Sequence, residues 1–331
     1  MSKFELKPMR AEATLLLLDK DTVERLLVPA EVTQAVREAF LLHGQREGRV
    51  FPVVREKLAT GGVFGIKSGD VPSQGLLGFK AAGFWPRNRE AGGEPHQATI
   101  LLFDPATGRP HCVIDGNAIT TVRTGAAGGL GLSLLARPDS TRLTVFGTGV
   151  QARSQLRFAL QALPTLSSVS YVSVDRRADE AFESLFAQRC DIRCARDADE
   201  AVSKSDVVIT ATPGAGPLFD AGAVRPGTHL NCVGADTAGK RELPDGLLER
   251  ARVVVDDREQ AGQLGELQWA RETPCVELGA LLLGEQPFSR QAADITVFDM
   301  TGLALQDLTV ARLVHERART RSLGTRIDWP W

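Results

Sequence analysis

What this 331-residue sequence has little of narrows its function before any motif is read. Its apolar runs fall far short of the roughly 20 residues that cross a bilayer, so no membrane-spanning helix is expected. Its formal net charge is only −2, a near-balance that argues against a polybasic surface for nucleic acid or anionic lipid. Five cysteines (Cys112, Cys190, Cys194, Cys232 and Cys275) are too few and too scattered for a disulfide framework. They fit a reducing compartment, and a cytoplasmic location is expected. Residues Met1 to Lys7 lack the apolar core of a signal peptide. Cys190 and Cys194 have no second pair of ligands, and His96 and His111 stand apart from companions, so no metal site is expected. Neither a Gly-x-Ser-x-Gly elbow nor a phosphate-binding P-loop is present. What remains is the composition of an ordinary soluble protein, 43% hydrophobic and 24% charged, long enough for about two domains with real cores.

The most informative stretch runs from Arg142 to Asp175. Arg142 to Phe146 reads as a strand, and Gly147-Thr148-Gly149-Val150-Gln151-Ala152 reads as a glycine-rich turn opening a helix. The apolar run Val169 to Val174 reads as a second strand, ended by Asp175. This is the order of a dinucleotide-binding βαβ unit. Gly147 permits the tight turn, Gly149 lets the backbone approach a pyrophosphate, and Ala152 lets the helix lie close to the strand. The helix N-terminus offers free N–H groups and a positive dipole end to the phosphates. Asp175 lies 23 residues beyond Ala152, where a carboxylate accepts from the ribose 2′-OH. That favours NAD, although Arg176 and Arg177 beside it would accommodate the 2′-phosphate of NADP.

Before this stretch, Thr14 to Leu18 reads as a strand, Asp19 or Asp21 as the cap of a brief helix, and Pro29 as the first turn of a longer one. In that second helix Val32, Ala35, Val36, Ala39, Phe40 and His43 form one apolar face. Short runs at Val50–Val54, Val63–Ile66, Leu77–Ala81, Ala98–Phe103 and Pro110–Ile114 predict an antiparallel sheet with the first helices packed on it. Asp115 to Ala136, rich in Ala and Gly, reads as a close-packed connecting helix. Beyond Asp175, strands at Val207–Ala211, His229–Val233, Arg252–Asp256 and Ile295–Phe298 alternate with helical stretches and imply a mostly parallel, doubly wound sheet. The last helix, about Gly302 to Thr320, reads as returning to the first domain.

Ligands bind at the carboxyl ends of strands in an open parallel sheet. That picks out Ala211-Thr212-Pro213 and Gly234-Ala235-Asp236, with Val233 just before them. Asp236 reads as an acid beside the nicotinamide, or as a helix N-cap. Lys80, inside an apolar strand, is costly unless it snorkels to solvent or has a partner; a desolvated lysine beside a carboxylate can act as a general acid. Arg123 could hold a substrate carboxylate in a bidentate fork and Arg55 is a second clamp, while the bland reading of each is a solvated arginine.

Several motifs in order make the chain resemble the ornithine cyclodeaminase/μ-crystallin family over nearly its whole length. They are Gly78-Phe79-Lys80, Ile119-Thr120-Thr121-Val122-Arg123-Thr124-Gly125, Gly147-Thr148-Gly149-Val150-Gln151-Ala152, Gly227 to Asp236, Val255-Asp256-Asp257 with Gly265-Glu266-Leu267, and Ile295 to Asp307. The resemblance implies a Rossmann doubly wound sheet plus an α+β substrate-binding domain that forms a homodimer. In those terms residues 1–124, joined by 303–331, are the substrate-binding and dimerisation domain, and 125–302 bind the dinucleotide. It implies Lys80 and Asp236 as a catalytic pair, Arg55 and Arg123 on the α-carboxylate, and Thr124 with Gly147 to Gln151 on the cofactor phosphates. Asp175, Arg176, Ala211, Thr212 and Val233 complete the cofactor set.

One departure bears on substrate. Where cyclodeaminases of this family carry a glutamate for the distal amine, this chain aligns Gly65, and two residues later it has Lys67. Losing an anion and gaining a cation moves preference away from a diamine and toward a second carboxylate, although Lys67 also reads as a solvated strand-end lysine. The expectation is NAD(P)H-dependent reduction of an α-imino acid, iminosuccinate-like or a cyclic ketimine, or the reverse dehydrogenation. Its rivals are ornithine cyclodeamination and a crystallin-like binding protein without turnover.

Overall fold

Two eight-stranded sheets carry the described strands. The structure is a computed structural model that describes residues 13–214, 216–286 and 288–329. The stretch read for a signal peptide, Met1 to Lys7, and the last two residues of the C-terminal segment lie outside the described residues. The strands are β1 (Ala13–Leu18), β2 (Arg49–Val50), β3 (Val54–Lys57), β4 (Val63–Val71), β5 (Leu76–Phe84), β6 (His96–Phe103), β7 (Pro110–Asp115), β8 (Arg142–Phe146), β9 (Ser168–Val172), β10 (Asp191–Cys194), β11 (Val207–Thr210), β12 (His229–Cys232), β13 (Arg252–Val255), β14 (Cys275–Glu277), β15 (Thr296–Asp299) and β16 (Thr325–Trp329). The helices are α1 (Lys20–Leu26), α2 (Pro29–Gly44), α3 (Gly116–Leu135), α4 (Val150–Ala162), α5 (Glu180–Ser184), α6 (Ala198–Ser203), α7 (Arg258–Leu264), α8 (Leu278–Leu283) and α9 (Ala304–Thr320).

The second sheet has the order β10-β9-β8-β11-β12-β15-β13-β14 and is parallel throughout. The strand order reverses direction between β8 and β11, which opens a crevice at their carboxyl ends. The chain is therefore an α/β fold of the doubly wound kind, with a second sheet unit in order β16-β1-β7-β6-β5-β4-β2 and β3 also on β4. The runs between Val50 and Ile114 pair antiparallel as expected, and β1 joins the same sheet in parallel with β7. Its covered face packs on α2, α3 and α9 in one continuous core that includes Phe40, Ile100, Leu102, Ile114, Ile119, Leu305 and Leu308.

Local chemistry explains the elements. Asp19 caps α1 by accepting from the Thr22 N–H, Pro29 opens α2, and Asp115 caps α3 by accepting from the Ala118 N–H. The glycines of α3 let α4 lie against it: a Cβ on Gly128 would overlap Gln155 Oε1. Gln155 Nε2 in turn donates to the Thr124 carbonyl at 2.7 Å.

Several boundaries differ from expectation. Val50–Val54 is not one strand, because Pro52 lies in an unpaired step between β2 and β3. The run Val169–Val174 ends as a strand at Val172, and Val174 is fully exposed. Strands β10, β14 and β16 were not anticipated; all are short, and β16 is exposed along its length. No helix among the described residues is long and apolar enough to cross a membrane.

Candidate active site between the two sheets

The turn after β8 carries the backbone geometry that its glycines imply. Gly147 has φ +98°, a region open to glycine, and a Cβ there would sit 2.9 Å from the Ala211 carbonyl just past the neighbouring strand. Gly149 is the N-cap of α4 and no side chain caps the first turn, so its N–H groups face outward. Gln151 Oε1 is buried without a hydrogen-bond partner, an orphaned acceptor beside those donors. A dinucleotide pyrophosphate fits this turn: open N–H groups, a positive dipole end and no obstructing side chain. Val150 is exposed at the same end, and Arg153 donates to the Thr148 carbonyl at 2.9 Å, fixing the loop's shape. Asp175 lies in an exposed turn past β9, where it accepts from Ser173 Oγ at 3.2 Å and from the Arg177 N–H at 3.1 Å, while Arg176 adopts φ +59°. The Thr124 hydroxyl donates to the Thr120 carbonyl at 2.6 Å within α3, leaving its lone pairs for a second donor.

Opposite this edge, the first sheet presents β3, β4 and β5. Lys67 and Lys80 are directly paired across β4 and β5 and both side chains are buried. Lys67 Nζ donates to the carbonyls of Thr301 (2.6 Å) and Gly302 (2.8 Å), which follow β15. Lys80 Nζ donates to Asp307 Oδ1 at 2.9 Å and to Thr120 Oγ1 at 3.2 Å. Neither lysine snorkels to solvent, so the bland readings of both do not hold. Arg123 is buried as well; its Nε donates to Asp307 Oδ1 at 3.0 Å and its Nη1 to Gln306 Oε1 at 3.0 Å. Arg55 reaches across to the second sheet, where its Nη2 lies 3.2 Å from the Asp236 carbonyl and 3.5 Å from Asp236 Oδ2. Gly65 is the cross-strand partner of Arg55, and its missing side chain leaves the space in which the Arg55 guanidinium lies.

Two expectations need correction here. Lys80 was paired with Asp236, yet its ion-pair partner is Asp307 on α9, while Asp236 is held by Lys240 (2.7 Å) and Arg55. The reason is topological: Asp236 follows β12 and meets the β3 edge, whereas α9 lies over the covered face of β5. Arg123 is not the solvated arginine of the bland reading, and two of the three nitrogens of its fork are committed to Asp307 and Gln306. Asp307, the last residue of the Ile295–Asp307 motif, carries no expected role in the sequence reading. A signal for it existed, since a fully buried acid on the apolar stripe of α9, beside Leu308 and Ala311, demands a cationic partner. Asp236 is not an N-cap, because no helix starts after it.

The electrostatics follow from burial. Burial pushes Lys80 down to about 7, with Asp307 opposing and Arg123 reinforcing the shift. Burial likewise pushes Lys67 down to about 8. For Asp236 burial favours the neutral acid, but Lys240 and Arg55 outweigh it and hold the carboxyl well below its ordinary range. Asp307 is lowered in the same way: burial opposes ionisation, and Arg123 and Lys80 overcome it. Three cations (Arg55, Lys80 and Arg123) thus share two ionised carboxylates, one of which also serves Lys240, while Lys67 adds a fourth cation held only by neutral carbonyls. Such a site attracts anions, and a lysine poised near neutrality can donate or accept a proton there.

Elsewhere, His43, Asp257 and Glu277 bring ligand-type atoms within 4.8 Å of one another. Asp257 Oδ1 already caps α7, and Glu277 accepts from Arg46 and from the Arg258 N–H, so these residues form an ion-pair joint between α2 and the second sheet.

The model of the ornithine cyclodeaminase/mu-crystallin family matches residues 13–322. The chain is 33% identical over 325 residues to an iminosuccinate reductase of Paracoccus denitrificans, covering 95% of this chain and all of that one. Among solved structures it resembles an archaeal alanine dehydrogenase dimer with bound NAD (33% identity, TM-score 0.88, covering 95% of this chain and 99% of that one). It also resembles the Δ1-pyrroline-2-carboxylate reductase of Thermococcus litoralis in complex with NADH and L-proline (28% identity, TM-score 0.88, covering 95% and 100%).

Proposed function

The chain belongs to the ornithine cyclodeaminase/mu-crystallin family, and from that premise we propose that it reduces an α-imino acid to the L-amino acid with NADH or NADPH, or runs the reverse dehydrogenation. The observation that carries this reading is Lys80: a buried lysine lowered to about 7, inside a cluster rich in cations that reaches the loops after β12 and β15 of the dinucleotide-type sheet. When bound, the dinucleotide supplies the hydride. Arg55 and the remaining donors of Arg123 hold the α-carboxylate, which orients the imine carbon. Lys80 gives its proton to the imine nitrogen as the carbon is reduced, and Asp307 keeps Lys80 in place. Asp236 holds Arg55 toward the substrate from the second sheet. Gly147 to Gln151 cradle the pyrophosphate, with Thr124, Ala211, Thr212 and Val233 lining the path toward the imine.

The excess of cations favours a substrate with a second carboxylate, met by Lys67, so an iminosuccinate-like acid ranks first and a cyclic ketimine second. Ornithine is disfavoured, because its distal ammonium would face Lys67 and Arg55. Retention of Lys80 and Asp236 opposes a binding protein without turnover. Asp175 favours NAD, with Arg176 leaving NADP accessible. Half-buried Ile66, Phe79, Leu101 and Phe103 on the outer face of the first sheet support a homodimer through residues 1–124 and 303–331, with 125–302 as the dinucleotide domain. Five free cysteines support a cytoplasmic location.

The test is purified protein with NADH or NADPH and a panel: oxaloacetate plus ammonia, pyruvate plus ammonia, Δ1-pyrroline-2-carboxylate and ornithine. Cofactor oxidation with an imino acid is expected. The proposal is lost if none oxidises the cofactor while ornithine yields proline and ammonia.

A further inference from the structure

Glu242 is fully buried, outside every motif discussed so far, and unusually well supplied with donors. Its Oε1 accepts from the Thr212 N–H at 2.8 Å and from Thr212 Oγ1 at 2.7 Å, and its Oε2 accepts from the Gly234 N–H at 2.9 Å. Thr212 follows β11 and Gly234 follows β12, which are neighbours in the sheet. A Cβ on Gly234 would overlap the Thr212 carbonyl, so the two loops cross backbone to backbone. Glu242 is itself pinned from behind: its N–H donates to Glu266 Oε1 at 2.7 Å, and its carbonyl accepts from the Leu218 N–H at 2.9 Å. The segment between Gly234 and Glu242 carries Asp236 and Lys240, which pair with each other and, through Asp236, with Arg55. One carboxylate therefore closes both ends of the Asp236 loop and ties that loop to the one beside Gly147.

We propose that Glu242 is a positioning residue for hydride transfer, setting the spacing between the β11 and β12 loops and the Asp236–Arg55 contact. The proposal rests on the reductase reading above. Carboxylate acceptors form stronger, shorter bonds than amides, so replacing one oxygen with an NH2 group sets donor against donor at Thr212 or Gly234.

The test compares wild type with Glu242→Gln, which keeps the shape. Turnover, KM for NADH and imino acid, the NADH emission spectrum and the unfolding midpoint are measured together. The expected result is kcat lower by about tenfold or more, both KM values within about threefold, an altered NADH emission and a midpoint within a few degrees. A kcat within about twofold of wild type overturns the proposal, as does a loss of kcat that merely follows a large fall in midpoint. If wild type binds NADH but turns over no imino acid, the reductase reading fails by itself. The emission spectrum then decides on Glu242: spectra identical in wild type and E242Q overturn it, and a shifted spectrum upholds the spacing role.

Discussion

Lys67 and Lys80 face each other across β4 and β5, buried on the same side of the sheet. Like charges directly opposite destabilise a strand pair. The fold tolerates this pair because each amine has its own acceptors, and those acceptors differ: neutral carbonyls for Lys67, a carboxylate for Lys80. The lysine with the ionic partner is the one suited to proton transfer, and the one with neutral partners is the one suited to meet an incoming anion.

The pH dependence follows from Lys80 titrating at about 7. Imine reduction needs the ammonium, so kcat/KM in that direction falls as pH rises through about 7, while amino-acid oxidation rises. For stability the sign is set by proton counting. In the unfolded chain the lysine titrates near ~10.4, so between about 7 and about 10 the unfolded state binds more protons and folding is favoured as pH rises. Denaturation of wild type and Lys80→Met at several pH values checks this: the wild type should gain on the variant from about pH 7 upward.

Asp307→Asn leaves Lys80 and Arg123 buried without their shared carboxylate. Removing one partner of a buried pair typically costs about 3–5 kcal/mol, measurable by urea unfolding. In the fraction that folds, losing the anion lowers the pKa of Lys80 further, so the descending limb of the rate profile moves to lower pH. A stability loss below about 1 kcal/mol would contradict the assignment.

Lys67→Met tests the second-carboxylate reading. Reduction with oxaloacetate plus ammonia should lose about 100-fold in kcat/KM, the worth of a charge-assisted hydrogen bond, while pyruvate plus ammonia changes by less than about tenfold. Equal losses on both substrates would place Lys67 in the scaffold rather than in recognition.

Asp175 offers its carboxylate from an exposed turn beside Arg176. Michaelis constants should favour NADH over NADPH, and Asp175→Asn should narrow that gap by about tenfold, because the repelled 2′-phosphate then meets only Arg176 and Arg177. A wild type that prefers NADPH would refute the carboxylate's role.

Gly128→Ala places a methyl group where Gln155 Oε1 lies, at the α3–α4 contact. Overpacking of this kind costs about 1–3 kcal/mol, and displacing Gln155 also removes its bond to the Thr124 carbonyl. Thermal unfolding should show a lowered midpoint, whereas Ala at the exposed Gly149, which meets no atom within 4 Å, should cost less, only the poorer fit of Ala at the N-cap of α4.

The dinucleotide unit was legible because its physics is local. A glycine at positive φ, a small residue at the helix start and an acid after the strand act on near neighbours, so their order along the chain is their order in space. The same holds for the cap of α1, which the structure assigns to Asp19 rather than to Asp21, and for Lys80, whose place in an apolar strand left only snorkelling or a buried partner. Strand pairing was less legible where the chain departs from periodicity, as at Pro52, and β16 has no buried face to produce a pattern. The partners of the buried charges were not legible at all. Lys80 and Asp307 are separated by 227 residues, and Arg55 and Asp236 by 181. Sequence by itself determined that a desolvated lysine would need an anion, since burial energy depends on residue type and local pattern. Which carboxylate answers it was decided only by tertiary structure, because α9 lies over the covered face of β5 and the loop after β12 meets β3.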